Sequence, residues 1–429
     1  MATETMLSDV FPLGSRLNER GRLEVGGCDT VELARELGTP AYVVAEDDLR
    51  ARARAFVAAG REAGHEDFRV VFASKAFPCT AVLELFASEG LSCDVASGGE
   101  LHLALNAGFP PERLVLHGNA KSEDELRAAI ECGVGLIVLD NFDEIERLER
   151  LAGDSAQEVL VPQEVLIRVT PDVRGDTHEK ISTGQADSKF GFSMSDARAA
   201  IARVREIAGL RLAGLHAHIG SQLLELDPFR REVAELAGLG EFDAWDLGGG
   251  LGVRYTTDQS EPPSVESYVA TLLAAAGEHG MTEPGRRLLI EPGRALCANA
   301  CVTLYSVESV KQNVSRWVAV DGGMSDNLRP MMYGARYEAH VADRFDGTTH
   351  CVLAGKHCES GDVIVRDALL DDPRPGDGIV TPATGAYGYA MANNYNGVPR
   401  PPVIFCRDGD ARVVVRRETL EDLTARDVR

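Results

Sequence analysis

The sequence predicts an α/β fold: a (β/α)8 barrel of the TIM type plus a second, mainly antiparallel β-domain built from both chain ends. Eight short apolar runs each lead to a polar or glycine-rich station, which is the first observation behind this reading. RVVFAS leads to Lys75, LSC to Asp94, RLVL to His117, GLIVL to Asp140, EVLI to Arg168, LAGL to His216, WDL to the glycines 248–250, and RLLI to Glu291. Second, successive stations are separated by segments long enough to hold a helix, the rhythm of parallel strands whose ends converge on one mouth. Third, the chain has 429 residues, whereas a barrel needs roughly 250, so a second domain is required.

Taken in order, residues 46–60 read as an amphipathic helix with Leu49, Ala53, Phe56 and Val57 on one face and acids in the first turn. Further helices fit at 78–89, 98–107, 122–132, 142–151, 195–208, 227–239 and 264–279, each between two of the strands. Between Arg168 and Ser195 the chain is rich in Gly, Asp, Ser and Thr without a sustained period. A loop this long, about 170–193, is more often functional than idle. From about 298 the pattern changes to short Val-rich alternations, VTLYSVESV, RWVAV, HCVLAG, GDVIV and ARVVVRR, spaced by turns as antiparallel strands are. Residues 1–45, with PAYVVA at 40–45, are not needed by the barrel and add strands to the same β-domain. The expected division is thus 46–297 for the barrel and 1–45 with 298–429 for the β-domain, the chain ends meeting in one unit.

The formal net charge of −23 argues against nucleic-acid binding, since phosphate backbones are held by clustered Lys and Arg. Nine cysteines are scattered without a CxxC pair, which fits a reduced cytoplasm better than a disulfide framework. The N-terminal MATETMLSDVFPLG lacks the basic and apolar regions of a signal peptide, and no stretch approaches membrane-spanning length. A cytoplasmic protein with neither membrane nor nucleic-acid partner is expected.

Several stations carry chemistry. Lys75 in FASKAF could be a strand-end lysine reaching for water, but an amine in a barrel mouth, partly buried and near positive charge, can condense with an aldehyde. DLGGGLG (246–252) falls where strand seven meets its helix; its glycines make either a tight turn or a cradle whose backbone N–H groups face a phosphate. The G-x-G-x-x-G spacing of a dinucleotide site fails at Val253. Glu291 opens EPGR; it either caps a turn or faces a pyridine nitrogen and favours its protonated form. Arg294 supplies a fixed fork for a carboxylate or phosphate. Lysine, glycine cradle and carboxylate together suggest pyridoxal 5'-phosphate. His216 and His218 lie two apart on one side of a strand, but no third ligand of matching spacing is evident and no metal is expected. In the second domain Arg329 and Tyr333 share a Gly- and Asn-rich loop, Cys358 stands beside Glu359 in GKHCESGD, and Tyr387 lies in TGAYGYAM.

Ten strings in order, SKAF, SGGEL, HGNAKS, SKFGF, GLHAHIGSQ, DLGGGLG, EPGR, DGGMSDNLRP, KHCESGD and TGAYGYAMANNYN, resemble blocks of the diaminopimelate decarboxylase family, in the alanine-racemase-like class (fold type III) of pyridoxal phosphate enzymes. FASKAF departs from relatives that often carry alanine or valine before the lysine and asparagine after the alanine, a tuning of the pocket. The resemblance implies that Lys75 binds the cofactor covalently, His216 packs on its ring and Glu291 faces its pyridine nitrogen. It further implies that Ser221, Gly249, Gly250, Pro292, Gly293 and Arg294 hold the phosphate end. Arg294, Arg329 and Tyr333 would grip a substrate carboxylate, Glu359 would receive the far ammonium group, and Tyr387 would border both cofactor and substrate. Cys358 matches the family's proposed proton donor, reaching across a homodimer with shared active sites. The implied reaction is decarboxylation of meso-2,6-diaminopimelate to L-lysine, the last step of lysine biosynthesis. Related ornithine, arginine, siderophore- or polyamine-pathway decarboxylases share the cofactor apparatus. A non-catalytic regulatory homologue is opposed by the intact Lys75, Glu291 and Cys358.

Overall fold

The computed structural model describes residues 7–154, 162–173 and 188–428; most of the long loop expected at 170–193, residues 174–187, lies outside them. The chain forms two compact units. One comprises Arg52–Gly252 and Pro262–Gly293; the other comprises the chain up to Ala51, Val253–Glu261, and the chain from Arg294 onward.

The first unit holds the eight strands read from the sequence: β1 (Phe68–Ala73), β2 (Ser92–Val95), β3 (Leu114–Leu116), β4 (Leu136–Leu139), β5 (Gln163–Thr170), β6 (Leu210–Ala217), β7 (Ala244–Asp246) and β8 (Arg287–Ile290). They pair in parallel in chain order, and the circle closes where Leu288 of β8 meets Phe68 of β1. Asp94, Arg168 and His216 fall within the last residues of their strands, not past them. The interior is filled by Val71, Val115, Leu136, Val138, Leu166, Ala213, Ala244 and Leu289, all buried, the layered packing of a closed parallel barrel. At Gly214 a Cβ would lie 1.6 Å from the Ala244 carbonyl oxygen, so this close approach of β6 to β7 tolerates only glycine.

Helices follow the strands and begin where short polar side chains can satisfy their first amides. Ser122 accepts from the Glu125 N–H, and the Glu125 carboxylate accepts in return from the Ser122 N–H, a reciprocal capping box. Ser97, Ser193 and Ser264 cap three more helices in the simple form. Between the ends of β3 and β4, Lys121 is buried with its Nζ 2.9 Å from Glu144 and donating to the carbonyls of Gly118 (2.6 Å) and Val138 (2.7 Å). Glu144 also accepts the amides of Lys121 and Asp140.

In the second unit the long strand Cys301–Gln312 pairs antiparallel with Ala41–Ala45, Gly378–Pro382 and Arg316–Val320. Two pairings are parallel, Arg316–Val320 with Thr349–Ala354 and Ala41–Ala45 with Val403–Arg407. The sheet therefore draws on both chain ends and is mainly antiparallel. Gly378–Pro382 and Val403–Arg407 were not foreseen: nearly every residue in them is buried, so the polar alternation that marks a half-exposed strand is missing. Their core joins Val43, Val302, Leu304, Val380 and Ile404. Among the described residues no helix is long and apolar enough to cross a membrane.

Removing one member of a buried ion pair strands the other charge and costs about 3–5 kcal/mol. Lys121→Met should therefore lower barrel stability by that order in urea unfolding, and adding Glu144→Gln, which removes the stranded charge, should recover part of the loss. A Lys121→Met protein as stable as the parent would contradict the role given to this pair.

Candidate active site

The carboxyl ends of the barrel strands gather the titratable stations. Lys75 lies in the single turn Ser74–Ala76 that follows β1, and its Nζ is 3.0 Å from Oδ2 of Asp94 at the end of β2. The lysine side chain is 49% exposed while Asp94 is buried. The amine is half-buried with a carboxylate as a partner where positive charge was expected, and that carboxylate aims it while leaving it accessible at the mouth. The backbone under this turn is tied to the Glu291 segment, since the Ala73 N–H donates to the Pro292 carbonyl (3.2 Å). A Cβ on Gly293 would come within 3.0 Å of the Ala73 Cβ.

Deeper in the same mouth lies an acid–imidazole array. Glu291 has one carboxylate oxygen 3.1 Å from His216 Nε2 and the other 2.5 Å from His117 Nε2, and the two imidazoles meet edge to face at 4.7 Å. Asp246, at the end of β7, completes the group, whose facing atoms all lie within 4.8 Å of one another. Burial alone would raise Glu291, but His117 and His216 outweigh it and hold the carboxyl well below its usual range. Asp246 moves the opposite way, raised by burial and then by the charge on Glu291. Two carboxyls in one dry site cannot both ionise cheaply, so Glu291 carries the charge and Asp246 the proton. Burial pushes His216 down to about 4, leaving a neutral ring at pH 7 whose Nε2 proton faces Glu291. Local spacing had offered only His216 and His218; closure of the barrel supplies His117, Asp246 and Glu291 from other strands. The four groups stand at a spacing that could also hold a cation.

The glycine run is dictated first by packing. A Cβ at Gly248, Gly249 or Gly250 would lie 2.3, 2.1 or 2.4 Å from the carbonyl oxygens of Ala217, Glu291 and Gly220 respectively. Gly248 and Gly250 also sit at φ +58 and +120, where L side chains are strained. The Gly248 N–H donates to Asp246 and the Gly249 N–H to Nδ1 of His218, which puts the His218 proton on Nε2. His218 is thus a hydrogen-bonded strut of the turn. Ser221 follows Gly220, whose carbonyl Gly250 approaches, and the Glu291 carbonyl that Gly249 approaches leads into Pro292 and Gly293.

This mouth fits pyridoxal phosphate. It presents an accessible lysine amine, an ionised carboxylate on a buried floor and a glycine turn packed against the Glu291 backbone. It also holds an imidazole whose buried Nδ1 has no protein partner among the described residues.

In the second unit, Arg294 and Arg329 are buried among tyrosines. Arg294 donates to the Tyr255 hydroxyl at 2.5 Å and lies 5.0 Å from the centre of the Tyr387 ring. Arg329 donates to the Tyr337 hydroxyl and stands 4.5 Å over the Tyr255 ring. Burial disfavours the Arg329 charge, but Tyr255, Tyr337 and Tyr387 more than compensate and raise its pKa. Tyr337 itself is pushed up to about 12 by burial, despite Arg329. Tyr255 and Tyr337 were missed: each follows an arginine in an irregular stretch, GVRY and GARY, and only the fold brings them to Arg294 and Arg329. Tyr333 ends the short helix Arg329–Tyr333 and is partly buried. Cys358 and Glu359 are exposed at the apex of a turn, and Cys358 is the one exposed cysteine of the nine.

Residues 47–298 match the family described as "Pyridoxal-dependent decarboxylase, pyridoxal binding domain". A diaminopimelate decarboxylase of Actinosynnema pretiosum subsp. auranticum is 48% identical, covering 98% of this chain and 95% of the relative. That of Bacillus subtilis is 44% identical, covering 96% and 97%. Among solved structures, diaminopimelate decarboxylase from M. jannaschii in complex with L-lysine superposes with a TM-score of 0.89 at 32% identity, covering 96% of this chain and 97% of the other. On identity, coverage and fold together, the chain belongs to the diaminopimelate decarboxylase family of pyridoxal-dependent decarboxylases.

Proposed function

We propose that this protein is a carboxy-lyase that converts meso-2,6-diaminopimelate to L-lysine and carbon dioxide, acting as a homodimer with shared active sites. The observation that carries the reading is the accessible Lys75 amine beside Asp94, in the same mouth as the array around Glu291. Lys75 would hold the aldehyde end of pyridoxal phosphate, Glu291 its ring nitrogen and His216 its face. Ser221, Gly249, Gly250 and the Pro292–Arg294 segment would hold its phosphate, with Tyr387 at the border with substrate. When bound, the cofactor supplies an electron-poor ring that accepts the bonding pair released as carboxylate leaves the substrate's α-carbon.

The chain's own residues set the conditions for that step. Glu291, kept ionised against its burial, can hold a proton on a ring nitrogen, while neutral His216 adds no competing charge beneath the ring. Arg294 and Arg329, seated among tyrosines, suit a substrate carboxylate because the guanidinium fork matches it. Tyr333 lies on the same short helix as Arg329 and is assigned to that carboxylate as well. Glu359 takes the distal ammonium group, and the Cys358 thiol delivers a proton to the carbon that has lost its carboxylate. Both sit exposed on one turn of the single chain, which suits groups that act in the site of a second copy. With two carboxylates and two ammonium groups to be matched, an analogue missing one leaves a buried or committed charge unpaired.

Three outcomes test this reading. Carbon dioxide should be released from meso-diaminopimelate in preference to lysine, ornithine and arginine, and borohydride treatment of the loaded protein should leave a pyridoxyl adduct on Lys75; no adduct there would sink the assignment. Glu359→Ala should lower kcat/KM for meso-diaminopimelate by about 10³–10⁴-fold with the cofactor's visible absorbance retained, so unchanged kinetics would remove Glu359 from the site. The third outcome concerns pH. His216 titrates near 6.5 when unfolded and about 4 when folded, so its contribution to stability is present above pH 6.5 and is lost as pH falls from 6.5 toward 4. That amounts to about 3 kcal/mol. Chemical denaturation of the parent and of His216→Phe at pH 7 and pH 4.5 should show the parent losing more, and equal losses would contradict a neutral buried His216.

A further inference from the structure

We infer that His357 and Asp362 are positioning residues: a buried imidazole–carboxylate pair that clamps the turn bearing Cys358 and Glu359 to the segment leading into the helix of Arg329. The inference rests on the functional reading above, since it matters to catalysis only if those three residues act on substrate.

Both side chains of the pair are buried, at 0% and 1% exposure, while Cys358 and Glu359 between them are exposed. Asp362 Oδ2 lies 2.7 Å from His357 Nδ1 and accepts the His357 backbone N–H at 2.9 Å; its Oδ1 accepts the Met324 N–H at 2.8 Å. One carboxylate therefore joins two segments, because Met324 stands five residues before Arg329 in DGGMSDNLRP. An ionised carboxylate only accepts, so the proton of the pair is on Nδ1. Nε2 is buried and has no protein partner among the described residues.

The site is built around the carboxylate. A Cβ on Gly323 or Gly355 would come within 2.5 or 2.1 Å of the Asp362 oxygens, so two glycines make the room. The turn is closed by Glu359 N–H to His357 carbonyl (2.7 Å), Asp362 N–H to Glu359 carbonyl (3.0 Å) and Gly355 N–H to Asp362 carbonyl (3.0 Å). A third segment braces the other side: Tyr395 stacks on His357 at 5.9 Å and 12°, and Asn396 accepts the Cys358 N–H at 2.7 Å. The apex can hold an exposed thiol and carboxylate in fixed register because its base is tied on both sides.

The test separates ring packing from hydrogen bonding. His357→Phe keeps a ring against Tyr395 but cannot donate to Asp362; His357→Asn loses the ring but can place an amide N–H near the Nδ1 position. With the full chain loaded with pyridoxal phosphate, His357→Phe should lower kcat/KM for meso-diaminopimelate by about 10–100-fold, the scale for a misplaced reacting group. The loss should appear in both KM and kcat, with visible absorbance retained, and His357→Asn should recover most of it. Parent-like kinetics in His357→Phe, or equal losses in both variants, would overturn the inference. A parent protein that releases no carbon dioxide from meso-diaminopimelate would instead overturn the functional reading. The clamp would still be decided by amide hydrogen exchange over 355–363, expected faster in His357→Phe and slow again in His357→Asn; unchanged exchange in His357→Phe would overturn it.

Discussion

A carboxylate removed from water keeps its charge only where hydrogen-bond donors or positive charge replace the solvent, and at the bottom of the barrel mouth Glu291 is held by that requirement. His117, just past β3, and His216, in β6, face it, and its neutralised neighbour Asp246 ends β7, so no local segment could build the arrangement. Only a closed ring of parallel strands, all ending on one face, brings four such side chains within 4.8 Å. The proton on Asp246 follows from its burial beside that retained charge, while burial keeps His216 neutral against the pull of Glu291. Lys75 is fastened to the same frame through the Ala73–Pro292 hydrogen bond, so the amine and the carboxylate are placed by one piece of backbone.

Much of the barrel was legible because its signals are local. Strand-length apolar runs and helix-length spacers recur in order, and most strands were found to within a residue or two, β5 running three residues longer at its end and β6 two at each end. Gly378–Pro382 and Val403–Arg407 escaped because burial on both faces erases alternation. The site was legible in part. Lys75, His216 and Glu291 stand out as polar ends of apolar strands, whereas the roles of His117 and Asp246 depend on which strands become neighbours across the barrel. The surroundings of Lys75 were misread for the same reason: Asp94 was seen as a strand-end station, but nothing in a linear reading pairs it with an amine nineteen positions earlier. Tyr255 and Tyr337 lie in irregular stretches and become visible only once the fold seats the arginines among them.

The two units solve their electrostatic problems differently. In the barrel, charge is contained by proton placement among acids and imidazoles. In the β-rich unit, Arg329 keeps a charge that burial opposes, using tyrosine rings and hydroxyls as the counter-environment. A guanidinium so held is desolvated in advance, and an incoming anion meets it without first displacing a full shell of water.

The crowding at Gly248, Gly249 and Gly250 reaches beyond this chain's activity. Each lies against the carbonyl of another strand end or of a loop that follows one, so the triplet is demanded by barrel geometry before any ligand arrives. A descendant that lost its lysine but kept its architecture would still carry those glycines. A glycine triplet in a newly sequenced relative therefore reports inherited scaffolding, and the amine at the rim is the better marker of retained chemistry.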